Sequence, residues 1–217
     1  MYPQSNSARS VRDLSGVWDF RFNADEPWQP IAVPASYNDQ SPDPEFRRHY
    51  GMAYYRTTFT VPEGARRVLR FDAVTHNAVV RLNGQEIASH RGGFLPFEAD
   101  ITALAQPGET VTLDVEVDNR IGHSSLPVGN EGGTAFFGSD NAGIPAVEAG
   151  KARQQAQGIN LPNFDFFNYA GITRPVHLCT TPAAYIRDVT VAADMTGTLR
   201  YTVDTVGEGC LLYTSDA

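Results

Sequence analysis

Thr110-Val111-Thr112-Leu113-Asp114-Val115-Glu116-Val117-Asp118 is the most regular stretch of the chain. Val111, Leu113, Val115 and Val117 fall on one side of an extended backbone, and Thr112, Asp114, Glu116 and Asp118 on the other. A period of two with this chemistry predicts a strand with one face in a core and one in water. The pattern recurs outward from there. Trp18, Phe20 and Phe22 alternate with Asp19 and Arg21, and Tyr55, Thr57, Phe59 and Val61 alternate with Arg56, Thr58 and Thr60 until Pro62-Glu63-Gly64 ends the run. Val68-Leu69-Arg70-Phe71 starts another strand, and Trp28 with Ile31-Ala32-Val33-Pro34 suggests a short edge piece. Ala78-Val79-Val80-Arg81-Leu82 runs into Asn83-Gly84, a hairpin turn because both positions accept positive φ, and Gln85-Glu86-Ile87-Ala88 returns.

Between these strands, residues 1–12 read as a polar arm, Asp13-Leu14-Ser15-Gly16 as a turn and residues 35–50 as a polar loop. Ile101-Thr102-Ala103-Leu104-Ala105 has room for one helical turn, but no helical period is sustained before residue 120. Many short strands with turns between them predict an all-β fold, an antiparallel sandwich or jelly roll. Residues 121–162 differ: eight glycines from Gly122 to Gly158 punctuate a long loop, with a short helix expected between Ala146 and Gln157. Loops of that length inside a domain are usually functional or disordered.

The 217 residues suffice for one ordinary domain plus part of another, and 41% hydrophobic content supports a real core. A net charge of −8, with Lys151 as the only lysine, argues against nucleic acid or an anionic membrane as partner. Cys179 and Cys210 form neither a disulfide framework nor a metal cluster, which fits lone thiols in a reducing compartment. Met1-Tyr2-Pro3-Gln4-Ser5-Asn6 has no basic start followed by an apolar run, and no stretch is apolar enough to span a bilayer, so a soluble cytoplasmic protein is expected. His49, His76, His90, His123 and His177 show no metal-ligand spacing, and no glycine loop of the phosphate-binding kind joins a strand to a helix, so neither a metal nor a nucleotide cofactor is expected.

The chemistry concentrates in Asn163-Phe164-Asp165-Phe166-Phe167-Asn168-Tyr169-Ala170-Gly171-Ile172-Thr173-Arg174-Pro175-Val176. A carboxylate among aromatic rings is costly unless it is hydrogen-bonded. Asp165 is therefore either a structural acceptor for backbone N–H groups or a group at the rim of an aromatic-walled pocket that accepts sugar hydroxyls. Phe164, Phe166, Phe167 and Tyr169 read first as core, and Asn168 as a backbone cap. Gly171 permits a tight turn before Arg174-Pro175-Val176-His177-Leu178 resumes as a strand.

Several of these segments, taken in order, carry a family resemblance: Leu14-Ser15-Gly16-Val17-Trp18-Asp19-Phe20, Val33-Pro34-Ala35-Ser36-Tyr37-Asn38-Asp39, Tyr54-Tyr55-Arg56-Thr57-Thr58-Phe59-Thr60-Val61-Pro62, Arg81-Leu82-Asn83-Gly84-Gln85, Gly92-Gly93-Phe94-Leu95-Pro96-Phe97 and the Asp165 segment. Together they resemble the N-terminal sugar-binding domain of family 2 glycoside hydrolases, specifically of β-glucuronidases. The resemblance implies a jelly-roll β-sandwich over residues 1–183. Ile186-Arg187-Asp188-Val189-Thr190-Val191 and Thr198-Leu199-Arg200-Tyr201-Thr202-Val203 resemble the opening strands of the family's immunoglobulin-like domain, here 184–217, with an atypical tail from Cys210. Two strands cannot close a sandwich, so 184–217 is expected to be poorly anchored.

In the family, a (β/α)8 barrel supplies two catalytic glutamates. Retaining hydrolysis needs two carboxyls about 5–5.5 Å apart across the scissile bond, and no such pair is readable here. Asn130-Glu131 imitates the family's acid/base dipeptide but lacks the preceding buried parallel strand of a barrel site. The resemblance implies no catalytic residue in this chain, substrate binding through Asp165, a β-glucuronide or related carbohydrate as ligand, the chain's own missing barrel as partner, and homo-oligomers of the full-length enzyme. A β-galactosidase or β-mannosidase fragment and a free carbohydrate-binding module are the alternatives, the latter favoured by an aromatic platform on an exposed sheet face.

Overall fold

A computed structural model of the protein describes residues 3–122, 125, 160 and 166–208. Its strands are β1 (Ser10–Asp13), β2 (Gly16–Arg21), β3 (Gln29–Val33), β4 (Met52–Thr60), β5 (Arg66–Phe71), β6 (Val74–Thr75), β7 (Asn77–Leu82), β8 (Gln85–Arg91), β9 (Phe97–Asp100), β10 (Thr110–Asp118), β11 (Gly171–Ile172), β12 (Val176–Thr181), β13 (Tyr185–Ala193) and β14 (Leu199–Val206). The alternating stretch at 110–118 is β10, inside a six-stranded antiparallel sheet of order β3-β2-β4-β10-β7-β8. Val115 stands between Tyr55 of β4 and Val80 of β7, and all three are fully buried. Removing each such aliphatic side chain from water stabilises the fold by about 1.5–3 kcal/mol.

A four-stranded sheet of order β1-β12-β5-β9 covers the apolar face of the first. Leu69, Phe71, Ala99 and Leu178 from this sheet join Trp18, Phe20, Tyr55 and Leu113 from the other in one core. The chain passes back and forth between the layers, giving the expected antiparallel jelly-roll sandwich. The Asn83-Gly84 hairpin forms as expected, with φ of 49° and 83° at its two central residues.

Three expectations need correction. The polar arm contains β1, which pairs with β12 from Ser10↔Thr180 to Asp13↔His177. Its strand character comes from that partner, since only Val11 is even partly buried. The loop at 35–50 holds a 3-10 turn, Tyr37–Asp39, and a short helix α1, Pro44–Arg48. Asp43 caps α1 by accepting from Glu45 N–H, Pro44 opens it, and Phe46 is its buried residue. Residues 101–105 make a hydrogen-bonded turn, Leu104 N to Ile101 O, and no helix. The glycine-rich loop with its expected helix, Asn130-Glu131 and the tail from Cys210 lie outside the described residues.

β13 and β14 pair only with each other, with most side chains exposed. Among their contacts with the sandwich, the Arg66 guanidinium lies 4.1 Å from the Tyr185 ring centroid.

Candidate functional site

The segment Phe166–Ile172 enters the sandwich between two other parts of the chain. Tyr37 N donates to Ala170 O at 3.0 Å, Ala35 N to Ile172 O at 3.0 Å, and β11 pairs with β6 on the other side. Gly171 is required at the crossing. Its φ is +123°, and a Cβ there would lie 2.6 Å from Tyr55 Oη and 3.2 Å from Ala35 O.

Asparagine side chains fix the segment. Asn38 Oδ1 accepts from Ala170 N at 2.9 Å, while Asn38 Nδ2 donates to Phe46 O at 3.0 Å, tying the segment to α1. Asn168 is 4% exposed, and its side chain caps a backbone carbonyl. Its Nδ2 donates to Asn119 O at 2.8 Å, and its Oδ1 lies 2.5 Å from His76 Nε2. The Asn119 carbonyl can only accept, so the amide nitrogen must face it. Oδ1 therefore faces His76, whose Nε2 carries the proton and donates. Asn160 Nδ2 donates to Asn168 O at 2.8 Å, and Asn160 N to Arg48 O at 2.7 Å. Loops around residues 38, 76, 119 and 160 thus meet on the backbone that directly follows Asp165.

This anchoring leaves aromatic surface outward. Tyr169 is 44% exposed and Phe167 half-buried, which corrects the reading of both as core. Their rings pack edge to face at 4.7 Å. The Arg47 guanidinium sits 4.6 Å from the Phe167 centroid and forms an ion pair with Asp39. Beside them, Asn38, Asp39, Pro42, Arg47 and Arg48 help line a cavity of about 340 Å³. Behind the patch His49 stacks on Phe22 at 3.9 Å and donates from Nε2 to Met52 O at 2.7 Å. Burial pushes the His49 imidazole below its ordinary value, so it sits there neutral.

Aromatic carbon, a guanidinium and neighbouring carboxyl groups suit a polyhydroxylated ligand with apolar ring faces. Asp165, the binding residue expected from sequence, lies outside the described residues, as do Asn163 and Phe164. Asn38, His76, Asn119 and Asn160 were not singled out in the sequence as a group; the strong turn and amide character of their segments gives no sign that they converge. Among the described residues, no group of His, Cys, Asp and Glu is placed to hold a metal ion.

Antiparallel β-sandwiches of the jelly-roll kind include lectin-type, carbohydrate-binding domains. Residues 11–182 match the sequence profile of the sugar binding domain of glycosyl hydrolases family 2, and the chain belongs to that family. A β-glucuronidase of Paenibacillus borealis is 36% identical over 91% of this chain, and that of Sus scrofa 33% identical over 94%. Among solved structures, a Faecalibacterium prausnitzii β-glucuronidase superposes with a TM-score of 0.78 at 56% identity over 95% of the chain. A Bifidobacterium dentium β-glucuronidase complexed with coumarin-3-O-glucuronide gives 0.72 at 52% identity over 89%. The chain spans about a third of these relatives' length, 33% and 34% of the two curated proteins and 37% and 33% of the two solved chains.

Proposed function

We propose that this chain is the sugar-binding part of a retaining β-glucuronidase, and that Asp165 accepts hydrogen bonds from hydroxyls of the bound glucuronide. The observation that carries the reading is the clamping of Asn168 by Asn119, Asn160 and His76 and of Ala170 by Asn38. The anchored residues, Asn168 and Ala170, follow Asp165 by three and five positions in the sequence. An ionised carboxylate is an acceptor only, so sugar hydroxyls donate to it.

The carboxyl pair that performs hydrolysis belongs, on this reading, to a longer polypeptide. The support is the third of the relatives' length that the chain spans. The relatives named above are all β-glucuronidases, which favours glucuronides over galactosides or mannosides. The division at residue 183/184 rests on β13 and β14, which pair with no strand of the sandwich among the described residues. Homo-oligomerisation of the full-length enzyme follows the same resemblance.

The test is turnover of aryl β-D-glucuronide, β-D-galactoside and β-D-mannoside by the full-length polypeptide. Glucuronide hydrolysis with retained anomeric configuration is the expected result. Preference for either neutral sugar would replace the substrate assignment.

A further inference from the structure

One end of the sandwich leaves large apolar side chains in water. Phe94 is 53% and Leu95 64% exposed, at the tip of the loop between β8 and β9. Apolar residues scattered singly over a surface are ordinary. This adjacent pair is held outward on a fixed base. Gly92 N donates to His76 O at 3.0 Å, and Thr75 Oγ1 donates to Gly93 O at 3.2 Å. A Cβ on Gly93 would lie 2.9 Å from Thr75 Cα, so the base is also tightly packed. None of these contacts needs an apolar side chain at 94 or 95, and loop tips are ordinarily polar.

The tip is continuous with the Asn168 node. The Phe94 ring lies edge-on to His76 at 6.2 Å, and His76 donates to Asn168, whose neighbours in the chain are Phe167 and Tyr169. The Arg47 guanidinium of α1 stands 4.6 Å from the Phe167 centroid and 6.0 Å from that of Tyr169. A line of contacts thus crosses this end of the molecule from Phe94 to α1, with Tyr169 exposed along it. Arg47 is already paired with Asp39, so what this surface lacks is apolar cover and not a counter-charge.

We propose that this end is the docking surface for the part of the polypeptide that the chain lacks, with Phe94 and Leu95 seated in an apolar pocket of that part. The proposal rests on the assignment of Asp165 to glucuronide binding. On that reading the sugar touches Asp165, while two carboxyls about 5–5.5 Å apart flank its scissile bond. The part that carries those carboxyls must then come within one sugar ring of Asp165, which directly precedes the described segment at Phe166. Phe167, Tyr169 and, through His76, Phe94 lie at that same end. The chain spans about a third of its relatives' length, which leaves ample polypeptide to supply the opposing face. A saccharide suits the tip less well, because Leu95 offers neither a ring face nor a hydrogen-bonding group.

Hydroxyl-radical footprinting, read by mass spectrometry, compares the 217-residue chain with the full-length enzyme. Side chains that pass from about half exposed into the core of an interface should lose labelling by about fivefold. That loss is expected at Phe94, Leu95 and Tyr169 of the full-length enzyme. Leu95→Asp gives a second readout. In the 217-residue chain Leu95 is exposed, so the melting temperature should stay near that of the parent. In the full-length enzyme the same change puts a carboxylate into an apolar pocket, and the first thermal transition should move down by several degrees. Equal shifts in the two chains would overturn the proposal. So would protection that is already present in the 217-residue chain and grows with its concentration, which would assign the surface to a second copy. A full-length parent that turns over a glucuronide yet labels at Phe94 and Leu95 as the 217-residue chain does would remove the docking surface alone. A full-length parent that hydrolyses no glucuronide would remove the assignment on which the proposal rests.

Discussion

Asn168 Oδ1 and His76 Nε2 lie 2.5 Å apart in the interior, and the other end of the same amide donates to Asn119 O. One side chain therefore joins three loops that are far apart in sequence. Asn168→Ala would leave both a buried donor on His76 and a buried acceptor at residue 119 without this partner. Each such loss costs about 1–3 kcal/mol. The expected outcome is a lower melting temperature for the isolated chain by several degrees. Asn168→Asp keeps an acceptor for His76 and loses the donor to Asn119, so it should fall between the parent and Asn168→Ala. Thermal unfolding followed by circular dichroism checks the order.

Gly171→Ala should be at least as damaging. The new methyl would sit 2.6 Å from Tyr55 Oη at a φ of +123° that L-residues rarely adopt. About 2 kcal/mol or more of stability should be lost. Tyr55→Phe in the same chain removes the nearest atom and should recover part of that loss. Urea unfolding of the single and double variants measures the recovery as an interaction energy.

How far this site could be read in advance depends on the residue. β10 was plain because Val111 to Val117 alternate and their neighbours do too. β1 was not, because Ser10-Val11-Arg12-Asp13 has one apolar residue and owes its extended form to pairing with β12. α1 had a local signal in Asp43-Pro44-Glu45, a cap followed by a proline at the first helical position, which a loop-like composition masked. The Asp165 segment stood out for its mix of acid, amide and rings. That Asn168 binds His76, and that Trp28 lies between Arg21 and Arg56, depends on tertiary pairing between strands distant in sequence. No period or short motif encodes such meetings.

The His49 imidazole should titrate below 6.5, its ordinary value, because burial against Phe22 disfavours the charged form. A base whose folded pKa is depressed binds more protons when unfolded. Its contribution to stability is therefore unaffected above the unfolded pKa and declines as pH falls through and below it. Proton NMR of the His49 ring across pH 5 to 8 (about the range histidines sample) gives the midpoint. A midpoint at or above 6.5 would contradict the buried, neutral assignment.

Removing residues 184–217 should leave the sandwich folded and reduce self-association. Ile186, Val191, Leu199 and Tyr201 are each more than half exposed on the hairpin of β13 and β14, and its strand edges are open. Size-exclusion chromatography at increasing concentration, with melting curves, compares the two chains. Unfolding of the shortened chain would place the boundary elsewhere.

On the proposed division of labour, the 217-residue chain alone should not turn over an aryl β-D-glucuronide. Turnover lost on Glu131→Gln would show that the chain carries its own acid.

The binding role of Asp165 is tested most directly by measuring kcat/KM and melting temperature on the same full-length Asp165→Ala enzyme. Charge-assisted hydrogen bonds to sugar hydroxyls contribute about 1.5–3 kcal/mol, so kcat/KM should fall by roughly one to two powers of ten while the melting temperature stays near that of the parent. Asp165→Asn, which keeps the shape and part of the acceptor capacity, should lose less. A destabilised Asp165→Ala enzyme with unchanged kcat/KM would contradict the assignment and leave Asp165 as a structural acceptor.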